Sequence, residues 1–263
     1  MTLPLIKHRQ LILQMTRREV VGRYKGSFLG LAWSLFNPIL MLTVYTFVFS
    51  VVFKSRWAGT PENDHASFAV ILFTGLIIFN LFSECIGRAP ALITGNVNYV
   101  KKVVFPIEIL PAVSVLAAMF HMGVSLVVLI AAMIALGTPF HATMVAFPLL
   151  LVPLVLGVLG ASWILASLGV FVRDVSQTIG ILISVLMFLS PIFYPVASLP
   201  QRLQPLVLAN PLAFIIEQAR QVLLFGAWPN WTGLAAHCAL AALCALVGFW
   251  WFQKTRKGFA DVL

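Results

Sequence analysis

The fold class is decided by residues 109–172, ILPAVSVLAAMFHMGVSLVVLIAAMIALGTPFHATMVAFPLLLVPLVLGVLGASWILASLGVFV, a stretch without a single Asp, Glu, Lys or Arg. A transmembrane helix needs about 20 mostly apolar residues to cross about 30 Å of hydrocarbon, so this stretch is long enough for two. Residues 137–141, GTPFH, interrupt it with Gly and Pro, which are typical of turns. We therefore predict two spanning helices, near residues 109–136 and 144–171.

The other uncharged runs are interpreted in the same way, because an ionised side chain near the bilayer centre costs at least about 2.5 kcal/mol. They predict four more spanning helices, near residues 29–53, 68–83, 178–195 and 232–252. A β-barrel would need segments of about 10 residues that alternate apolar and polar, whereas these runs are apolar on every side. The sequence predicts an all-α integral membrane protein with one six-helix transmembrane domain, residues 29–263, preceded by the cytoplasmic segment 1–28.

The composition of the whole chain agrees with this prediction. Of 263 residues, 61% are hydrophobic and only 10% are charged, and the mean hydropathy is +1.00. In a soluble domain about 25% of the residues are charged, because the surface in contact with water needs charged side chains. The composition therefore excludes a soluble globular protein.

Lysine and arginine predict the orientation of the helices. Residues 1–28, the second and fourth loops and the C-terminal tail together hold 13 of them, and the opposite side holds four. Because cytoplasmic loops carry the excess of positive charge, we expect both termini and the 88–105 loop in the cytoplasm. This distribution accounts for the net charge of +9, and no nucleic acid partner is expected.

Catalytic and nucleotide-binding motifs are missing from the sequence. It contains no GxxxxGK[ST], GxSxG, HExxH or GxGxxG pattern, and its three cysteines form no CxxC pair. No predicted span carries a mid-bilayer charge of the kind that ion-coupled carriers use. We expect neither an enzyme nor a bound metal or cofactor, and the energy for transport would come from a separate motor subunit on the basic cytoplasmic face.

Four blocks of sequence carry a family resemblance. They are RYKGSFLGLAWSLFNP at 23–38, NVNYVKKVVFPIEILP at 96–111, FVRDVSQ with LSPIFYP within 171–195, and NPLAFIIEQARQVLLFGAWPNW at 210–231. In this order they resemble type-2 ATP-binding-cassette exporter permeases of the bacterial surface-polysaccharide family, whose members export O-antigen, capsule or teichoic acid. The resemblance is greatest to O-antigen exporter permeases.

The resemblance implies a homodimer of six-helix permeases in the bacterial inner membrane. Two copies of a separate ATPase would bind ATP and Mg, and the assembly would export a lipid-linked O-antigen polysaccharide. It also implies that residues 5–25 form an interfacial helix along the cytoplasmic membrane surface. A capsule or teichoic-acid exporter of the same family, an ion-coupled carrier and a structural membrane scaffold remain as alternatives.

Charged residues on the cytoplasmic side are candidates for two roles. Arg23 and Lys25 come just before the first span, and a guanidinium binds phosphate through its planar fork, so they are candidates for the pyrophosphate of the substrate. A positive anchor at the membrane surface fits them equally well. The 88–105 loop is predicted to dock the ATPase, through Arg88, Asn96, Tyr99, Lys101 and Lys102. Glu84 and Arg88, spaced i,i+4, also predict a salt bridge within the second helix.

Aromatic and small polar side chains form one stripe on the first helix and another on the fifth. At about 100° per residue, these stripes contain Trp33, Phe36, Asn37, Thr43, Phe47 and Ser50, and Ser184, Met187 and Tyr194. Sugar rings have apolar faces and polar rims, so such stripes would let a glycan slide without one tight site, as stacking does for other polymers. We predict that they line the substrate conduit; helix packing in lipid is the alternative.

Residues 210–226 predict an external interfacial helix before the last span. Asn210 is a suitable N-cap, Pro211 fits the first helical position and Gly226 can end the helix. Glu217, Arg220 and Gln221 share one face, and the opposite face is apolar: Leu212, Ile215, Ile216, Ala219, Val222 and Leu223. We expect this helix to lie at the external membrane interface.

Overall fold

The computed structural model describes residues 2–52, 57, 65–101 and 105–263, so Lys102 lies outside the described residues, as does the side chain of Ser50. The described residues form helices and connecting turns, with no β-strand among them. The α-helices are α1 (Thr2–Lys7), α2 (Arg9–Arg23), α3 (Trp33–Tyr45), α4 (His65–Arg88), α5 (Ala91–Thr94), α6 (Val97–Lys101), α7 (Leu110–Ala135), α8 (Phe147–Phe171), α9 (Val175–Leu189), α10 (Gln204–Leu208), α11 (Pro211–Leu223), α12 (Trp231–Thr255) and α13 (Phe259–Val262).

Five stretches of the described residues are long and apolar enough to cross a membrane. They are Gly30–Phe49, Phe68–Arg88, Ile107–Ala135, Ala142–Phe171 and Trp231–Val262. The first contains α3, a 3₁₀ turn before it and the start of a π-helix over Thr46–Val52. These stretches confirm the all-helical membrane fold and lie where five of the six helices were predicted.

The predicted fifth helix is present as α9, but it is shorter than expected. α9 has 15 residues, which at 1.5 Å per residue is about 22 Å. The prediction that it reaches residue 195 is wrong, because Pro191 disfavours a helical Ser190; Ser190 has ψ 145°. The count of six spans therefore stays a prediction.

The centre of the bundle is α4, which packs against α3, α7, α8, α9 and α11. Its middle is buried almost without interruption from Phe68 to Phe79. Beside it, α8 and α12 meet at glycines, since a Cβ on Gly248 would lie 2.2 Å from the carbonyl oxygen of Gly160. Small residues let helices approach closely in lipid, where dispersion contacts replace the hydrophobic effect. By contrast, α3 has no buried residue.

Hydrogen bonds join segments that connect the long helices, at two opposite ends of the bundle. At one end, Arg18 of α2 donates to the hydroxyl of Tyr99 in α6 at 2.7 Å, and α13 packs against α6. At the other end, Thr143 donates to the carbonyl of Val222 in α11 at 2.8 Å. The N-terminal helix, the segment between α4 and α7 and the C-terminal tail thus share one end.

The helix predicted over residues 210–226 is α11, and its packing corrects the prediction for Arg220. The Asn210 side chain accepts from the backbone N–H of Leu212 at 3.0 Å, and Gly226 adopts φ 67° in the following turn. The six residues of the predicted apolar face are all buried. Arg220 was expected on the opposite face, yet its side chain is also fully buried, because α11 packs against both α4 and α8.

The close approach of α8 and α12 gives a test of the packing. Gly248→Val would push its side chain into the backbone of α8, so we expect the free energy of unfolding to fall by at least about 2 kcal/mol. A Cβ on Gly123 of α7 meets nothing within 4 Å, so Gly123→Val is the matched control. Thermal unfolding of the purified chain in detergent measures both variants, and equal melting temperatures would contradict the packing described here.

Candidate functional site

A cavity of about 350 Å³ lies between α3, α4 and α7. One stripe of α3 faces it, formed by Ser34, Asn37, Pro38, Met41 and Tyr45, which recur at the spacing of one helical face. The facing walls belong to α4 and α7, and the end of α2 closes the base. The remaining lining residues are Arg23, Tyr24, Phe73, Leu76, Ile77, Asn80, Leu81, Ser83, Glu84, Ala118, His121, Met122 and Ser125.

The cavity is polar for a space between membrane helices. The side chains of Asn37 and Asn80 are exposed to it, and no hydrogen bond joins either amide to another described residue. Two hydroxyls donate to carbonyls of their own helices, Ser34 to Leu31 at 2.7 Å and Ser125 to His121 at 3.0 Å. Free amides and hydroxyl oxygens suit a ligand that both donates and accepts hydrogen bonds, as sugar hydroxyls do.

Two arginines and two glutamates form a neutral network at the base of the cavity. Arg23 pairs with Glu84 at 2.5 Å, Arg88 pairs with Glu19, and Arg88 also lies 3.8 Å from Glu84. The predicted salt bridge between Glu84 and Arg88 is therefore confirmed, although Glu84 is closer to Arg23. Burial opposes the charge of Arg23, but the hydrogen bond and attraction of Glu84 outweigh it and hold its pKa above the ordinary value.

The two residues predicted to bind pyrophosphate lie in different surroundings. Arg23 lines the cavity and is held by Glu84, so an anionic ligand would have to compete with this carboxylate. Lys25 is exposed and is not among the residues that line the cavity. The geometry favours Arg23 over Lys25 for this predicted role.

The predicted conduit residues of the first span whose side chains are described are exposed along its length. Trp33 and Phe36 are 40% and 45% exposed and pack edge to face at 5.3 Å. Asn37 turns toward the polar cavity, and Thr43 and Phe47 line a second cavity between α3, α4 and α7. Thr43 also donates to the carbonyl of Ile39 at 2.9 Å, so its hydroxyl is already paired within the helix.

The predicted conduit residues at the fifth helix are less uniform. Ser184 is exposed and donates to the carbonyl of Gly180 at 3.0 Å, and Met187 is partly buried against the core. Tyr194 lies beyond the end of α9, and its hydroxyl donates back to the carbonyl of Phe188 at 2.9 Å. The stripe was predicted on one continuous helix, but Ser184 and Met187 lie in α9 and Tyr194 lies in the turn that follows it.

Stacked phenylalanines connect the first and fifth helices, and the sequence analysis missed them. The ring of Phe49, at the end of the first span, stacks on Phe193 at 5.9 Å, and Phe193 stacks on Phe188 at 6.0 Å. Phe49 also meets Phe68 of α4 at 5.7 Å. Phe193 lies in the LSPIFYP block, which was the available signal for a contact here.

The residues predicted to dock an ATPase lie between α4 and α7. Arg88 ends α4 and belongs to the network at the cavity base. Asn96 donates to the carbonyl of Leu92 at 2.9 Å, and Tyr99, bonded to Arg18, stacks on Phe105 at 4.4 Å. Lys101 is exposed, and its Nζ donates to the carbonyl of Leu263 at 2.5 Å. This segment is therefore tied both to α2 and to the tail.

A comparison with protein families decides the family question. The profile of the ABC-2 type transporter family matches residues 10–224, most of the chain. The chain belongs to the ABC-2 type transporter family. Membership confirms the resemblance found in the four sequence blocks, and it identifies a membrane subunit of a transporter, not a catalyst.

Several curated proteins are similar to this chain over 80% or more of its length. The chain is 26% identical over 254 residues to the O-antigen export system permease protein RfbA of Klebsiella pneumoniae, which covers 96% of this chain and 95% of that protein. It is 26% identical over 259 residues to the protein of the same name from Myxococcus xanthus, covering 98% and 96%. Over 213 residues it is 26% identical to the polysialic acid transport protein KpsM of Escherichia coli, covering 80% and 79%.

Access of water to the cavity is testable in this ABC-2 family member. Cysteines at Asn37 and Asn80, in a chain without Cys85, Cys238 and Cys244, are expected to react with a cationic methanethiosulfonate at least about tenfold faster than a cysteine on a lipid-facing surface, because a charged reagent does not enter hydrocarbon. Leu243 of α12, 57% exposed and on a helix that does not border this cavity, provides that control. Equal rates at the three positions would show that the cavity is closed to water.

Proposed function

We propose that this chain is the transmembrane permease subunit of an ATP-driven exporter that moves lipid-linked O-antigen polysaccharide across the bacterial inner membrane. The observation that carries this proposal is the alignment of almost the whole chain, end to end, with two relatives named as O-antigen export permeases. The polar cavity beside α3 supports it, since it offers free amides to a sugar. ATP and Mg would be bound by a separate ATPase, because the chain has no phosphate-binding loop.

A second candidate is the export of a capsular polysaccharide. The similarity to the polysialic acid transport protein of Escherichia coli favours it, although that alignment covers less of each chain. Both candidates use the same permease chemistry and differ in the sugars carried. The O-antigen is preferred because the relatives named for its export align over 96% and 98% of this chain, against 80% for the polysialic acid transport protein.

The assembly we propose is a homodimer with six spans per chain and two ATPase subunits. α9 would be the fifth span and, at 15 residues, would need the turn that follows it to complete the crossing. The exposed aromatic faces of α3 and of the α9 region would border the conduit, with a second copy closing it. Apolar helix faces that do not pack within one chain are available for such a contact.

Within this assembly Arg23 would take the pyrophosphate of the lipid carrier. It lines the cavity and its charge is balanced by Glu84, so a more highly charged phosphate group would displace the carboxylate. The segment Val97–Lys101 would dock the ATPase. The hydrogen bond that Arg18 donates to the hydroxyl of Tyr99 would connect the docked segment with the helix that carries Arg23.

The function is tested by deletion and complementation. A strain without this chain is expected to lose its surface polysaccharide and to accumulate the lipid-linked polymer inside the cell. Trp33→Ala, Phe36→Ala and Tyr194→Ala should each lower export by about fivefold or more, since one aromatic stacking contact is worth about 1–3 kcal/mol. Trp250→Ala is the control, because Trp250 of α12 is also exposed and aromatic. Normal surface polysaccharide after deletion would refute the proposed function.

The orientation is tested by labelling. Both termini and the α6 segment are proposed to face the cytoplasm because 13 lysines and arginines lie on that side and four on the other. A single cysteine at Gln201 should react with an impermeant maleimide in spheroplasts, and one at Asn98 should react only after lysis. Both positions are exposed. Equal labelling of the two in intact spheroplasts would contradict this orientation.

A further inference from the structure

Arg220 is a charged side chain enclosed by the external part of the bundle. It lies on α11, and none of its surface is exposed. A buried charge is strongly destabilising unless its hydrogen bonds are made. The hydrogen-bond partners of its guanidinium therefore indicate the role of this residue.

The guanidinium binds backbone carbonyls from two separate segments. Its Nε donates to the carbonyl of Ile71 in α4 at 3.2 Å. Its Nη1 donates to the carbonyl of Pro191 at 2.6 Å, and its Nη2 donates to the carbonyl of Ile192 at 2.8 Å. One planar group thus joins α11, α4 and the turn after α9.

The turn after α9 needs these donors. Pro191 ends the helix, so the carbonyls that follow have no partner in a next helical turn, and Ile192 is fully buried. Irregular backbone at membrane depth is tolerated where it is buried in protein or lines a water-filled cavity, and these buried carbonyls find their partners within the protein. Asn210 supplies a second tie, because its amide donates to the hydroxyl of Ser190 at 2.9 Å.

The surroundings are fitted to the guanidinium on three sides. A Cβ on Gly75 of α4 would lie 2.9 Å from Nη2, so glycine at this position leaves the space for it. The ring of Trp57 lies 4.4 Å from Cζ, within the range of a cation–π contact. Glu217 accepts from Nη1 at 3.0 Å. Burial lowers the pKa of Arg220 to about 10, and Glu217 acts in the opposite direction, so the group is charged at neutral pH.

We propose that Arg220 is a positioning residue that holds the segment Pro191–Ile192 against α4 and α11. The segment leads directly into Phe193 and Tyr194, so its position sets where the aromatic side chains at the outer end of the fifth helix stand. That these side chains border the export path rests on the proposed function; that Arg220 fixes their backbone does not. The carbonyl bonds, and not the ion pair with Glu217, are the interactions that do the positioning.

The position of the segment is measured by the distance between two spin labels, one at Ala197 and one at Phe225, in the full chain diluted with unlabelled chain. Arg220→Met is expected to broaden this distance distribution and to lower export by about tenfold, because it leaves buried carbonyls without donors. Arg220→Lys should give an intermediate width, since an ammonium lacks the planar fork. Gly75→Val should act like Arg220→Met, because it displaces the guanidinium from the side of α4.

Two matched variants separate positioning from other roles. Arg202→Met removes an exposed arginine and should change nothing. Glu217→Gln removes the ion pair but leaves all three carbonyl bonds, so the narrow distribution should remain. If Glu217→Gln broadens the distribution as much as Arg220→Met does, the ion pair does the positioning and the proposal is wrong.

An unchanged distance distribution in Arg220→Met overturns the proposal. This holds even if the variant accumulates to a lower level, because a residue that contributes only to stability changes how many molecules fold and not the distance within the folded ones. If Arg220→Met does not insert at all, Arg220→Lys and Gly75→Val decide the question by the same measurement. The distances do not depend on what is exported. A wild-type chain that exports no polysaccharide would therefore refute the proposed function and leave this result standing.

Discussion

The absence of water in the hydrocarbon of a bilayer is the constraint on which the rest of this structure depends. Each backbone N–H and C=O must find its partner inside the protein, and the long helices satisfy this rule within themselves. Where the rule is broken, at the end of α9, side chains replace the missing helical partners. Arg220 of α11 provides these bonds to the carbonyls of Pro191 and Ile192, and it thereby attaches α11 to the turn after α9.

The absence of water in the bilayer also explains why the polar side chains of the cavity are notable. Side chains such as Asn37 and Asn80 are costly beside lipid unless something polar meets them. Their presence on helices that border the cavity makes this space suitable for water or for a polar ligand. The network of Arg23, Arg88, Glu19 and Glu84 closes the base of this cavity with no net charge.

Two contacts of α2 make a continuous connection across one end of the bundle. Arg18 bonds to Tyr99 of α6, and Arg23 pairs with Glu84 of α4. A displacement of α6 would therefore reach the base of the cavity through one short helix, without passing through the tightly packed pair of α8 and α12. Of the three helices that form the walls of the cavity, α3 is the one without a buried residue.

The sequence by itself determined the fold class and the positions of five spanning helices, because lipid solvation is set by the local run of apolar residues and needs no knowledge of neighbours. Its four motif blocks also indicated the family. It also determined the N-cap at Asn210, a local interaction. Only the tertiary structure decided the environment of Arg220, which a helical wheel placed on the exposed face, and the pairing of Arg23 with Glu84. Both depend on residues far apart in the chain, and a wheel shows which side chains share a face but not whether a second helix covers the other face.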